Sequence, residues 1–436
     1  MYDVPRPDAI ERACLVGFEL PGSLVDGVNV SLNELRALTL TSGAEPAVEL
    51  ICRHAALHPA YCIGSGKADE LAALCHANDV SLVIFDHDLA PVQARNLERV
   101  TDAKILDRTG LILQIFAQRA RSREGKLQIE LAQLQYLLPR LTRMWGHLSR
   151  QYGGLGTRGP GEMQLEVDRR RVQTRIQRLH SLIADVRKQR ATQRKRRRLS
   201  DTPVIALVGY TNAGKSTLLR TLTHADVLIE DKLFATLDPT SRLYRTPAGE
   251  KFVFTDTVGF IRNLPHGLVE AFKATLEEVH EADALIHVAD ASIPDLAEQI
   301  AAVHVVLREL DADAKPQLLT LNKTDKLSHR RKKELQTAYP NAAFISAEYG
   351  YGFADMFTRL RPVLPIHRLR TKLRLPPHRS LLLSKLYKLG KVLSALYLED
   401  GIVVEAYVPD SLVEETKRFR VKANGQPAGN GEGQAD

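Results

Sequence analysis

The sequence predicts an α/β protein of several domains, the largest built on a mainly parallel sheet. Three observations predict it. Short β-branched and apolar runs, such as VSLVIFD (80–86), PVIALVG (203–209) and ALIHVAD (284–290), alternate with helix-like stretches. Two series of aliphatic residues repeat at helical spacing on either side of a glycine-rich segment. The chain has 436 residues, 44% of them hydrophobic, which is enough for about two to four separate cores.

The first domain, expected over 1–116, is a small α/β unit. SLNELRALTLTSG carries a capping-box pair, Ser31 with Glu34, and ends near Gly43, so a helix is expected to start at Ser31. VSLVIFD reads as a buried strand. The four cysteines (Cys14, Cys52, Cys62, Cys75) all lie here, with no C-x-x-C pair and no clustered histidines. They read as unpaired thiols of a reducing compartment rather than a metal or redox site. GSGK (64–67) imitates half a phosphate loop. The upstream glycine of the full motif would fall on Tyr61, so a helix start after a glycine turn is the better reading.

The second unit, 117–200, is a basic helical hairpin. Leu127, Leu131, Leu134, Leu138 and Leu141 recur at spacings of 4, 3, 4 and 3, and Val172, Ile176, Leu179, Ile183 and Val186 repeat that pattern. Each series makes one apolar stripe, as in a coiled-coil seam. Pro139 should kink the first helix. GGLGTRGPGE (153–162), with five glycines and a proline, should not be helical and should turn the chain. The basic run RKRRR (194–198) and Ser200-Asp201 read as a linker. The net charge of the chain is +8, but 117–200 alone holds 21 Lys and Arg against 6 Asp and Glu. The remainder is therefore net acidic, and the hairpin calls for a polyanionic partner, most commonly nucleic acid.

The third unit, 201–365, carries the chemistry. PVIALVG is a strand, GYTNAGKS a loop, and TLLRTLT a helix, so G-x-x-x-x-G-K-S stands in strand–loop–helix context. Its glycines let the backbone wrap phosphates with inward amides. The loop and its flank run Gly209, Tyr210, Thr211, Asn212, Ala213, Gly214, Lys215, Ser216 and Thr217. Lys215 should reach the β- and γ-phosphates, and the Ser216 hydroxyl should ligate Mg2+. FVFTDTVGF ends a second strand at Asp256, placed to hold Mg2+ through water. Thr257 and Val258 follow, and Gly259 should bring an amide to the γ-phosphate. In Asn322, Lys323, Thr324 and Asp325, the Asp325 carboxylate can accept N1–H and the 2-amino group of guanine together. Adenine would meet it with a lone pair. Ser346 and Ala347 end a further strand, where an amide could meet the guanine oxygen.

The order and spacing of these elements resemble the P-loop GTPase family over about residues 203–365. The resemblance implies GTP and GDP as ligands and makes Thr236, within Phe234, Ala235, Thr236, Leu237 and Asp238, the switch threonine that binds Mg2+ only with the γ-phosphate. Lys215, Thr236 and Gly259 are then the residues expected to act on the reaction. Phe260 stands where Ras-like enzymes place a water-orienting glutamine, so intrinsic hydrolysis should be slow and completed by a partner or by another residue. Asn212 resembles the asparagine that supports K+ in potassium-stimulated GTPases, with a loop-stabilising side chain as the alternative. K+ thus joins Mg2+ as a candidate cofactor.

LPRLT near Leu138, GGLGTRGPGE, GYTNAGKS, FATLDPT and DTVGF together resemble the HflX family of ribosome-associated GTPases, over nearly the whole chain. That resemblance implies an N-terminal α/β domain with a helical hairpin, a GTPase domain and a small C-terminal domain. It also implies binding to the large ribosomal subunit and its RNA, and ribosome dissociation or rescue, especially under stress. Arg150 and Arg158 could meet RNA phosphate, and Trp145 and Tyr152 could stack on a base or simply pack at the hairpin end. A GTP-dependent switch on non-ribosomal RNA stays open as the alternative, and an RNA-modifying enzyme as a weaker one. The last unit, 366–421, is a small basic α+β domain opening with Arg368, Arg370, Lys372, Arg374 and Arg379 and containing the strand GIVVEAYV (401–408). Residues 422–436 should be disordered. No run of about 18 apolar residues and no basic-then-apolar start occur. A cytoplasmic monomer without membrane insertion is expected, peripheral association remaining open.

Overall fold

The computed structural model describes residues 10–19, 27–53, 58–144, 160–198, 202–223, 233–234, 236–246, 250–262, 277–364, 369–398, 400–408 and 410–421. Ala235, Trp145, Arg150, Tyr152, Arg158, Arg368 and the segment 422–436 lie outside them.

Four strands, β1 (Arg12–Glu19), β2 (Glu45–Arg53), β3 (Leu82–Phe85) and β4 (Lys104–Asp107), form a wholly parallel sheet in the order β2-β1-β3-β4. The connections are α1 (Gly27–Ser42), α2 (Ser65–Ala77) and α3 (Pro91–Thr101), and α4 (Arg108–Arg119) follows β4. Strands β1 and β3 read as unbroken apolar runs because helices cover both faces of such a sheet. One face carries all four cysteines, buried among Val16, Leu71, Phe85 and Leu97. GSGK does open α2, and Lys67 pairs with Glu70.

The capping-box reading is wrong. α1 begins at Gly27, so Ser31 and Glu34 lie inside the helix. Their side chains bond Asp86, and Arg108 with Tyr210, instead of backbone at a helix start. The pattern was right for a cap, but long-range partners claimed both groups. Gly43 does close the helix, with φ +94°.

α5 (Arg123–Met144) and α6 (Pro160–Arg198) form the hairpin. Leu131, Leu179 and Ile183 are buried at its seam, with Leu127, Leu134 and Ile176 packed against them. α5 runs on through Pro139. Two expectations change. The glycine-rich reading extended to Glu162, but α6 starts at Pro160, a first-turn position that wants no amide donor. The basic run 194–198 is the last turn of α6 rather than a linker. Arg140 on α5 reaches back to Asp107 at 2.7 Å and to the Leu89 carbonyl at 3.0 Å, and Tyr136 donates to Asp107 at 2.7 Å. The hairpin is thereby tied to the N-terminal sheet.

The central sheet has the order β10-β9-β8-β5-β7-β6: β5 (Val204–Val208), β6 (Thr240–Arg245), β7 (Lys251–Asp256), β8 (Ala284–Asp290), β9 (Gln317–Asn322) and β10 (Ala343–Phe344). Only β6 runs antiparallel to its neighbour. α7 (Lys215–Thr223), α8 (Glu277–Glu281), α9 (Leu296–Glu309), α10 (His329–Ala338) and α11 (Phe353–Leu360) cover it. β5 is paired on both sides, by β7 and β8. The crevice beyond its carboxyl end is where open α/β sheets bind ligands. The C-terminal unit is an antiparallel sheet, β11-β13-β12 (Leu369–Leu375, Gly401–Val408, Lys391–Leu398), with α12 (Ser380–Leu389) and α13 (Asp410–Lys417). Lys372, Arg374 and Arg379 are exposed there.

Candidate functional site

The loop after β5 is shaped by two glycines. A Cβ on Gly209 (φ +149°) would stand 2.1 Å from the Val288 carbonyl oxygen, and one on Gly214 (φ +93°) 2.2 Å from Asn322 Nδ2. Asn212, at φ 60°, takes the left-handed turn between them, which asparagine tolerates better than most residues. The resulting cleft, about 410 Å³, is lined at one end by Thr211, Asn212, Lys215, Ser216, Thr236, Thr257 and Gly259, and at the other by Asn322, Lys323 and Asp325. Gly214, Thr217 and Phe234 line it as well.

At the first end Lys215 is buried. Its Nζ donates to the carbonyls of Gly209 (3.0 Å) and Tyr210 (2.8 Å). Burial pushes the ammonium down to about 8 against the opposing pull of Asp256. A Cβ on Gly259 would come within 3.1 Å of Lys215 Nζ and 2.8 Å of Thr211 Cγ2. Glycine is thus what lets the segment after β7 lie this close to the lysine.

Three oxygens converge beside it. Ser216 Oγ and Thr236 Oγ1 lie 2.7 Å apart and donate to Asp256 Oδ2 at 2.6 and 2.8 Å. Asp256 is fully buried, and burial raises its carboxyl from the ordinary value against Lys215 and these hydroxyls. Its Oδ1 has no hydrogen-bond partner among the described residues. An unpartnered carboxylate oxygen beside two hydroxyls is a hard-oxygen donor set, of the kind Mg2+ takes while keeping several waters. The residues therefore fit Mg2+.

At the second end Asp325 is exposed, and Ser346 Oγ donates to its Oδ1 at 2.5 Å, which orients the carboxylate. Lys323 pairs with Asp290 at 2.7 Å. Asn322 is a clip: its Nδ2 donates to the Ala213 carbonyl at 2.8 Å and its Oδ1 accepts from Ala347 N–H at 2.9 Å. It joins the two ends of the cleft. Thr324 donates to the Ile345 carbonyl at 2.8 Å.

Several residues expected at the site turn their side chains elsewhere. Leu237 and Val258 are buried in the core shared with the N-terminal helices, and Ala213 in the core beneath the loop. Tyr210 accepts from Arg262 N–H at 2.8 Å and donates to Glu34. Asp238 accepts from the amides of Arg121 (2.9 Å) and Ser122 (2.7 Å). Phe260 is buried, and its backbone ladders with the loop: Thr211 N–H donates to the Phe260 carbonyl at 2.8 Å, and Phe260 N–H to the Gly209 carbonyl at 3.0 Å. Its ring has no route to an attacking water. Sequence reasoning missed Arg220, Lys326 and Glu348 on the cleft wall, and Asp290 behind Lys323. Lys326 directly follows the guanine tetrad and Glu348 follows Ala347, so extending each motif by one residue would have found both.

Comparison with known proteins agrees with this geometry. Three family models match in tandem: "GTP-binding GTPase N-terminal" over 29–117, "GTP-binding GTPase Middle Region" over 119–197, and "50S ribosome-binding GTPase" over 204–323. A protein of Escherichia coli K12 described as "GTPase HflX" is 46% identical over 92% of this chain and 94% of its own length. One of the same description from Caldanaerobacter subterraneus subsp. tengcongensis is 45% identical over 89% and 90%. A solved structure titled "crystal structure of SsGBP and GDP complex" superposes with a TM-score of 0.47 at 24% identity, over 81% of this chain and 98% of that one, a likeness too loose to bear on the site.

Proposed function

The chain belongs to the HflX family of GTPases, and from that premise we propose that its GTP hydrolysis drives a cycle on the large ribosomal subunit that ends in ribosome dissociation or rescue. The observation that carries the reading is the basic hairpin joined to the nucleotide domain. Arg170, Arg171, Arg175 and Arg178 line one shallow groove on α6, and ribosomal RNA is a dense polyanion. The matching family model described as a 50S ribosome-binding GTPase points the same way.

In the cleft, the amides after Gly209 and Lys215 receive the phosphates, Gly259 brings an amide to the γ-phosphate, and Asp325 accepts from guanine. Ser216 and Thr236 would hold Mg2+ directly and Asp256 through water. When bound, Mg2+ neutralises charge on the β- and γ-phosphates. With Phe260 buried where the glutamine would stand, turnover is slow alone and rises on the ribosome. GTP binding drives the work, and hydrolysis resets it. Asn212 lines the cleft in the left-handed turn, and we assign it the support of K+. Equal hydrolysis rates in K+ and Na+ buffers, with or without Asn212→Ala, would reject that role.

GTP turnover measured alone, with intact ribosomes, with isolated large subunits and with free RNA tests the main reading. Stimulation by large subunits is expected. Stimulation by free RNA alone would favour the other reading, a GTP-dependent switch on non-ribosomal RNA. Sedimentation with a non-hydrolysable GTP analogue tests the order of events, because splitting that needs cleavable GTP contradicts it.

A further inference from the structure

Thr236 is held from both sides by parts of the molecule outside the nucleotide domain. Two residues before it, Phe234 takes φ 56°, a left-handed conformation that a bulky residue adopts only where its surroundings impose it. Those surroundings are the end of α4: the Phe234 ring meets Phe116 edge-on at 4.6 Å, and both rings are buried in one core. Two residues after it, the Asp238 carboxylate sits at the start of α5. Oδ2 accepts from the Arg121 and Ser122 amides, and Ser122 Oγ donates to Oδ1. Ser122 Oγ in turn accepts from Gly125 N–H at 3.0 Å, so the serine caps the helix while the aspartate caps the serine. The approach is close: a Cβ on Gly125 would stand 2.6 Å from Asp238 Oδ1. A carboxylate at a helix N-terminus is favoured by the orphan amides and the helix dipole. Here the helix belongs to the RNA-facing hairpin and the carboxylate to the switch.

From this geometry we propose that Ser122 and Phe116, at the root of the hairpin, are positioning residues for Thr236, acting through Asp238 and Phe234. They set the switch threonine against Ser216 and Asp256. By reciprocity, a ligand that engages Thr236 stabilises the first turn of α5. α5 is a single helix of 22 residues, about 33 Å long, so its first turn is mechanically joined to its far end. The proposal rests on the reading of Thr236 given above, and its test separates the two.

The affinities of full-length protein for GDP and for guanosine β,γ-imidotriphosphate, both with Mg2+, are measured for Thr236→Ala, Asp238→Ala, Ser122→Ala, Ser122→Thr and the double variant Thr236→Ala/Asp238→Ala. Thr236→Ala should weaken the triphosphate analogue and spare GDP. Asp238→Ala should do the same by about tenfold, Ser122→Ala should follow more mildly, and Ser122→Thr should retain normal binding. The double variant should lose no more than Thr236→Ala alone, because Asp238 acts through Thr236. Amide exchange at 121–125 should be slower with the analogue than with GDP. If Thr236→Ala is selective but Asp238→Ala and Ser122→Ala weaken both nucleotides equally, or neither, the clamp is wrong and the reading of Thr236 stands. If Thr236→Ala is not selective, both fall. Should Asp238→Ala fail to fold, Ser122→Ala and the exchange data decide alone.

Discussion

The molecule contains one wholly parallel and one mainly parallel sheet, each with a crevice at the carboxyl ends of its parallel strands, and it uses the two crevices in opposite ways. Beyond β5 the crevice is open, with amides, Lys215, two hydroxyls and Asp325 around a cleft of about 410 Å³. Beyond β1 and β3 the equivalent place is filled. Arg108 is buried there between Asp86 and Glu34, and Tyr210 reaches in from the nucleotide loop to donate to Glu34. Burial opposes the Arg108 charge, but the two carboxylates hold it above its ordinary value. Burial, with Glu34 beside it, likewise raises the Tyr210 phenol and keeps it a donor. The same architecture makes a ligand site in one domain and a socket for the neighbouring domain in the other. What separates them is whether the polar groups at the strand ends are satisfied from within. In the nucleotide domain Asp256 Oδ1 is left unpartnered, whereas both terminal nitrogens of Arg108 meet carboxylates and only its Nε has no hydrogen bond among the described residues.

Substitutions at the two crevices should separate in kind as well as size. Asp325→Ala removes the solvent-facing carboxylate that we propose accepts two guanine donors. It should weaken GDP binding by about a hundredfold in calorimetry, near 2.7 kcal/mol, with little effect on stability. Arg108→Ala does the reverse. It leaves the part-buried carboxylates of Glu34 and Asp86 without their shared cation and should cost about 3–5 kcal/mol of stability, read as a lower urea midpoint. A change under 1 kcal/mol would mean that the filled crevice is not structurally coupled. Tyr210→Phe keeps the ring and loses the bridge between Arg262 N–H and Glu34. It should cost about 1–2 kcal/mol and alter GDP affinity less than threefold, because the hydroxyl points away from the cleft. The smallest effect is expected on the far face of the N-terminal sheet. There burial pushes the thiols of Cys14, Cys52 and Cys62 up to about 12, 11 and 11 from an ordinary 9.0. At pH 8 the folded protein should show almost no reaction with a thiol reagent, and all four cysteines should react on unfolding. The folded state keeps protons that the unfolded chain releases, so stability should fall as pH rises from about 9 to about 11.

Among the described residues no helix is long and apolar enough to cross a membrane. The hairpin is the part of the chain where charge, rather than apolar area, marks the outward surface.

The sequence by itself determined the phosphate loop, the strands that carry its companion motifs, the guanine tetrad and the seam of the hairpin. These are contiguous patterns. A strand, a glycine turn and a lysine at the start of a helix fix their own local geometry, and spacings of 3 and 4 fix a helix face. It did not determine what side chains do once distant segments meet. Glu34 looked like half of a capping box, yet it receives Tyr210 from 176 positions away. Asp238 looked like part of the cleft, yet it caps a helix 116 positions before it. Asn322 looked like a base contact and proved to be a clip. A hydrogen bond between distant residues leaves no period in the sequence, and a polar side chain has several partners it could take. Only the packing of the domains chooses among them, because a polar group buried at their junction must be paired.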